Sequence, residues 1–327
     1  MRRRWLLLAV ILSAPSGCDN VKWGGVDVRL QAPPPSAEMA PEAAVQPAPE
    51  TAPPPLPRGP VLLAGTRDGD TATLAVVGEV RGDALAPLPT EDQAPGFLEH
   101  FTRTLLAPGT ELVLFSEGVR VGRLTVSGTG TDTQHCVPRA QVTGTVELVP
   151  GAVGATRLLA LTDSAARRRA YAPFQVHATE YDQRAASIAL AAEAIRQAGV
   201  SWPTSLVESR QDIQSFRIPD AAGPSMAASF LLGDRLAVAE PGPGAWALFV
   251  LGTAQGGTYG SSYVAFRQAA DGKGAQRYFA HLDWDGDGDS EILLDVFGAG
   301  SRWFASLGQR GGSWVQTFQD PCGAPTG

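Results

Sequence analysis

Residues 277–297, RYFAHLDWDGDGDSEILLDVF, set two apolar runs on either side of a loop in which aspartate alternates with glycine. Each run is seven or eight residues long, rich in aromatic and branched side chains, and bounded by turn residues, which predicts strands rather than helices. The same grammar continues outward. Ala227 to Leu232, Trp246 to Thr253 and Tyr263 to Gln268 precede the stretch, and Arg302 to Leu307 and Ser313 to Phe318 follow it, all separated by glycine turns. The glycine-rich stretch Gly252 to Gly260 lacks a lysine and has a strand on each side, so it reads as a hairpin loop rather than an anion cradle. An up-and-down antiparallel sheet over residues 225–327 is the simplest arrangement, and no period of 20 to 50 residues suggests a propeller or solenoid.

Upstream, residues 164–224 form a helical linker region. Its one long helix lies between Thr179 and Gly199, with Thr179 and Asp182 as a capping pair, Gly199 as the stop, and Tyr181, Ala185, Ile188, Ala192 and Ile195 along one face. The triplet Arg167-Arg168-Arg169 before it reads as solvated charge. Residues 61–163 are β-rich: Val61 to Ala64 and Thr71 to Val80 flank Asp68-Gly69-Asp70, Glu111 to Phe115 and Val119 to Val126 flank Glu117-Gly118, and Gln141 to Val149 and Arg157 to Leu161 follow. A short helix is expected over Phe97 to Leu106. The spacing of turns suits a small sandwich or barrel. The fold class is therefore α+β, predominantly antiparallel β, with a mostly-β N-terminal region, one long helix and a C-terminal up-and-down sheet.

The loop within the opening stretch carries the chemistry. Asp283, Asp285, Asp287, Asp289 and Glu291 occupy loop positions one, three, five, seven and nine, and five carboxylates so close together repel one another unless a cation is present. Ca2+ is a hard ion that takes six to eight oxygens, and a glycine at position six lets a tight loop fold round it. An EF-hand requires glutamate at position twelve, where Leu294 stands. The pattern Asp-x-Asp-x-Asp-Gly-x-x-Glu between strands instead resembles the calcium-binding hairpins of integrin-α FG-GAP and bacterial VCBS-type repeats, over about Arg277 to Phe318 and in a single copy. That resemblance implies side-chain ligation by Asp283, Asp285, Asp287 and Glu291, a backbone carbonyl from Asp289, and a turn permitted by Gly288. Without an ion, the same residues would form an acidic, solvated hairpin turn.

The N-terminus reads as an address. Arg2, Arg3 and Arg4 precede an apolar run from Trp5 to Leu12, too short to span a bilayer, and small residues lead to Cys18, so 1–17 is a signal peptide. Ser16-Gly17-Cys18 resembles the lipobox of bacterial lipoproteins, with Pro15 where that family usually carries leucine; the resemblance implies lipidation of Cys18. An ordinary secretory signal cut nearby remains the alternative reading. Residues 18–60 are proline- and alanine-rich, with Pro33-Pro34-Pro35 and Pro53-Pro54-Pro55 as stiff points, and form a tether between membrane and folded domain. Export brings an oxidising compartment, which leaves Cys136 and Cys322 as the pair for one disulfide.

The chain has 26 basic and 33 acidic residues, and only Lys22 and Lys273 among the basic ones are lysines. With no basic cluster beyond the extreme N-terminus, a nucleic acid partner is excluded. G-x-S-x-G, H-E-x-x-H, C-x-x-C and phosphate-loop motifs are absent, and His100, His135, His177 and His281 are scattered. His135 and Cys136 adjoin, yet sequence neighbours in a strand face opposite ways, so a bridged cysteine outranks a thiol nucleophile. Two expectations stand: a membrane-anchored envelope lipoprotein with a calcium-stabilised β domain that binds a protein or glycan ligand without catalysis, or an exported hydrolase that uses dispersed carboxylates on glycan or envelope substrates.

Overall fold

The computed structural model describes residues 53–162, 166, 169–219 and 221–323. The signal peptide, Cys18 and all of the tether before Pro53 lie outside the described residues, as do Arg167 and Arg168. Seven strands come first: β1 (Val61–Asp68), β2 (Thr71–Arg81), β3 (Ala84–Ala86), β4 (Glu111–Ser116), β5 (Val119–Asp132), β6 (Arg139–Leu148) and β7 (Arg157–Leu161). Their order is β1-β7-β4-β5-β6-β2-β3, and β1 also pairs with β2, so six antiparallel strands close into a barrel that β3 extends at one end. Closure removes the sheet edges, and bulges at Leu62/Leu63, Leu114/Phe115 and Val126/Gly128 supply the bends it requires. Alternating residues such as Leu63, Leu74, Leu114, Leu124 and Val142 fill the interior. Helix α1 (Phe97–Leu105) adds Phe97 and Phe101, whose rings stack with centroids 5.7 Å apart.

The expected C-terminal sheet is two sheets. Strands β8 (Arg210–Phe216), β9 (Ser225–Leu232), β10 (Trp246–Gln255) and β11 (Thr258–Gln268) form one four-stranded meander, and β12 (Ala275–Leu282), β13 (Glu291–Phe297), β14 (Arg302–Arg310) and β15 (Ser313–Gln319) form the other. β8 falls in the region read from sequence as helical linker; its sequence RQDIQSF has too few apolar residues to announce a strand. Gly256 and Gly257, at φ 55° and 88°, make the tight turn between β10 and β11.

Four apolar layers stack side by side. Ile292, Leu294 and Val296 of β13 face Ala227, Phe249 and Leu251 of the other sheet, while Leu293 and Phe304 face the outer wall of the barrel at Leu62, Phe115 and Leu159. The far side of the first meander, at Phe230, Trp246, Leu248 and Val250, is covered by helix α2 (Tyr181–Ala198) through Ala191, Ala194 and Ile195. The helix is where expected, but its face and cap differ from the sequence reading. Tyr181 and Ala185 are exposed, and the buried stripe runs through Gln183, Ser187, Ala191, Ala194 and Ile195, because small residues let the helix lie close to the sheet. Glu180 is the cap, with its N–H donating to the Gln183 side chain at 2.8 Å in a capping box. Gly199 ends the helix at φ 65°. Short helix α3 (Leu206–Ser209) leads into β8. No helix among the described residues is long and apolar enough to cross a membrane.

Cys136, between β5 and β6, is disulfide-bonded to Cys322 beyond β15, across 186 residues. A loop of that length contributes about 5 kcal/mol in the chain-entropy picture. Beside it, Arg139 Nη2 donates to Asp320 at 2.6 Å, and Asp320 also accepts the Phe304 N–H. Both members of this pair are buried. Asp320→Ala, which strands the Arg139 charge in the interior, should lower unfolding stability by about 3–5 kcal/mol in a urea titration; a change below 1 kcal/mol would refute the assignment.

The β4–β5 turn presses on the second sheet. Gly118, at φ 73°, donates its N–H to the His281 carbonyl at 3.1 Å, and a Cβ there would come within 2.6 Å of His281 Nε2. Its neighbour Glu117 sits at φ 50°, with Oε2 enclosed and unbonded. Burial pushes the Glu117 carboxyl up to about 7, against the opposing field of Arg157. A carboxyl raised in the folded state contributes stability below its ordinary 4.5, which is lost as pH climbs toward 7. Glu117→Gln should therefore gain on the wild type across that window and hold a constant advantage above it; unfolding titrations at stepped pH check this, and parallel curves would contradict it.

Candidate metal centre

The loop between β12 and β13 is closed at its base by the pairing of Leu282 with Glu291. Trp284, fully buried against the barrel wall, anchors its first turn, and its N–H donates to Glu291 Oε2 at 3.2 Å. The remaining turns are built by aspartate side chains accepting backbone N–H groups ahead of them. Asp283 takes Gly286 at 2.6 Å and Gly288 at 3.2 Å, Asp285 takes Asp287 at 3.1 Å, and Asp287 takes Asp289 at 2.8 Å. Gly286 and Gly288, at φ 87° and 103°, occupy conformations closed to other residues at low cost.

This winding gathers Asp283, Asp285 and Asp287 so that one carboxylate oxygen from each lies within 4.8 Å of the others, a group that could hold a metal ion. Asp289 and Glu291, the other two residues of the sequence reading, are not part of that group. The Asp289 side chain is exposed. Glu291 is 1% exposed at the loop's inner end. Burial first, and then the charges of Asp285, Asp283 and Asp287, push its carboxyl up to about 9. Asp285 is likewise raised, by burial and then by Asp287 and Asp283 despite the hydrogen bond from the Asp287 N–H. The loop is a concentrated negative field of the kind a hard cation relieves.

Among the described residues, one cation touches this loop. Arg169 donates from Nη1 to the Asp283 carbonyl at 3.0 Å and lies 4.0 Å from the Asp283 carboxylate, over Gly286. Sequence reading left this arginine as solvated charge; its partner lies 114 residues away, and only the packing of that segment on the hairpin brings them together. The neighbouring His135 and Cys136 divide as expected, with Cys136 in the disulfide. His135 Nδ1 meets Asp132 inside the fold, and burial, which raises Asp132, is outweighed only by that hydrogen bond together with the Gln134 N–H and the charges of His135 and Arg302, which bring its carboxyl down to about 2.

No protein-family model matches the chain, and neither the curated proteins nor the solved structures yield a match.

Because Gly288 has open space round it but a backbone unsuited to side chains, Gly288→Ala should cost about 1–2 kcal/mol through strain alone. Calcium-free chemical unfolding measures this, and an unchanged midpoint would show that the loop tolerates rearrangement.

Proposed function

We propose that this chain is an exported, lipid-anchored protein of the bacterial cell envelope whose β domain is stabilised by Ca2+ and serves as a non-enzymatic binding module for a protein or glycan ligand. The observation that carries the reading is the Asp283, Asp285 and Asp287 group, with its oxygens within 4.8 Å and the buried Glu291 behind it. Calcium suits such a site better than magnesium, which demands octahedral geometry and gives up its water reluctantly. The anchor rests on Ser16-Gly17-Cys18 and the proline-rich segment that follows.

Hydrolysis by dispersed carboxylates finds less support, because most of the other buried acids are already engaged, Glu117 being the exception. Glu79 is held by Arg81, Asp132 by His135, Asp234 by Lys273, Asp295 by Arg277 and Asp320 by Arg139. A carboxylate already locked to a partner side chain is poorly placed to take or give a proton.

Extracellular calcium modules commonly bind with dissociation constants of about 10⁻⁴ to 10⁻³ M, so saturating Ca2+ should add around 2 kcal/mol of stability. Asp285→Ala and Asp287→Ala should each abolish the calcium-dependent rise in Tm, with magnesium producing far less. Calorimetry that detects no binding at millimolar Ca2+ would end the metal half of the proposal. An unmodified Cys18 in mass spectra of the native N-terminal peptide would end the anchor half.

A further inference from the structure

Acidic turns on a protein surface are ordinarily left to water, but the loop between β12 and β13 has a cation delivered to it from a distant part of the chain. Arg169 donates from Nη1 to the Asp283 carbonyl at 3.0 Å and stands 4.0 Å from the Asp283 carboxylate. A Cβ added at Gly286 would lie 2.7 Å from the guanidinium carbon, so the fork rests on bare backbone of the loop. Its charge reaches Asp285 as well, where it opposes the upward push of burial and of the neighbouring carboxylates. Arg169 therefore acts on two of the three members of the metal group.

The chain fixes this arginine from both sides. Ala166 is fully buried in the layer between barrel and sheet, and Tyr171 packs on the same layer with its ring 5.4 Å from Phe115. The Tyr171 hydroxyl donates to the Ala166 carbonyl at 3.3 Å, which ties the two anchors together, and it also neighbours the Arg169 guanidinium. A cation held in this way stays at high effective concentration beside the loop. The side chains of Arg169 and Asp283 are 27% and 28% exposed, so water and salt screen the pair only in part.

We propose that Arg169 is a tethered counter-ion that competes with Ca2+ for the loop, so that the chain itself sets how much calcium the site needs before it fills. The proposal rests on the calcium reading of Asp283, Asp285 and Asp287 and adds a regulator to it. Without metal, the guanidinium offsets part of the repulsion among the carboxylates and supports the fold. With metal, the same fixed positive charge beside a divalent ion is unfavourable. Linkage requires that calcium loosen the hold of Arg169 by the factor by which Arg169 weakens calcium. A unit charge at this range on a partly screened surface should weaken a divalent ion about three- to tenfold. An arginine placed only for structure would act in the opposite sense, because its removal would loosen the loop and weaken calcium too.

The test titrates calcium chloride by calorimetry into the mature, disulfide-bonded chain, as wild type, Arg169→Gln and Arg169→Lys. Arg169→Gln should melt below the wild type in EDTA yet bind Ca2+ about three- to tenfold more tightly, and Arg169→Lys, which keeps the charge, should stay within about twofold of the wild type. The gap between wild type and Arg169→Gln should shrink when potassium chloride is raised from about 0.1 M to about 1 M. In NMR spectra of the wild type, the Arg169 side-chain N–H resonances should move in step with calcium loading, a readout that needs no variant to fold. Equal or weaker binding by Arg169→Gln, Arg169→Lys as tight as Arg169→Gln, a gap that salt leaves unchanged, or Arg169 resonances indifferent to saturating Ca2+ would overturn the proposal and leave the metal centre standing. Absence of binding by all three proteins at millimolar Ca2+ would overturn both.

Discussion

The burial of the β12–β15 sheet on both faces is the constraint from which the rest of the architecture follows. A sheet normally leaves one face to water, and this one gives Ile292, Leu294 and Val296 to its neighbour sheet and Leu293 and Phe304 to the barrel. It therefore stands between the barrel and the outer meander. At Phe279 the register slips, so that Tyr278 faces the meander while Ala280 and Leu282 face the barrel. That bulge aims Trp284 into the barrel wall and leaves the aspartates beyond it outside.

Double burial also explains the polar chemistry of the interior. Charged residues enclosed between layers must be matched, and the matches here fall on single residues from distant parts of the chain. Lys273 is fully buried and spans Asp234 and the carbonyls of Arg235, Ala237 and Ala239. The other interior cations are arginines, whose planar forks bond in two directions at once, as Arg139 does to Asp320 and to the Val76 carbonyl.

What the sequence conveyed was local. The hairpins around Asp68-Gly69-Asp70 and Glu117-Gly118 and the stop at Gly199 follow from turn and cap chemistry within a few residues, and they appear where that chemistry puts them. The aspartate triad was legible for the same reason, since its members lie two apart in one loop. Closure of the barrel was not, because it depends on β1 pairing with both β2 and β7, a choice made by twist and bulges rather than composition. The split of the C-terminal strands into two sheets was hidden as well: an apolar run buried on two faces looks the same whichever neighbours bury it. Helix α2 misled in its detail, because its alanines leave several faces equally plausible and large Tyr181 drew the stripe to the wrong side. Arg169 was invisible for want of any local signal.

The bond between Cys136 and Cys322 turns everything from β6 to β15 into a covalent ring, with β1 to β5 attached as a tail. A protease that cuts once within that ring opens it without releasing a fragment. The exposed turns at Gly256-Gly257 and Gly311-Gly312 are two accessible places for such a cut. The molecule can be nicked at either turn and still hold both sheets and the barrel in one covalent piece, coming apart only when a reductant opens the sulfur bridge.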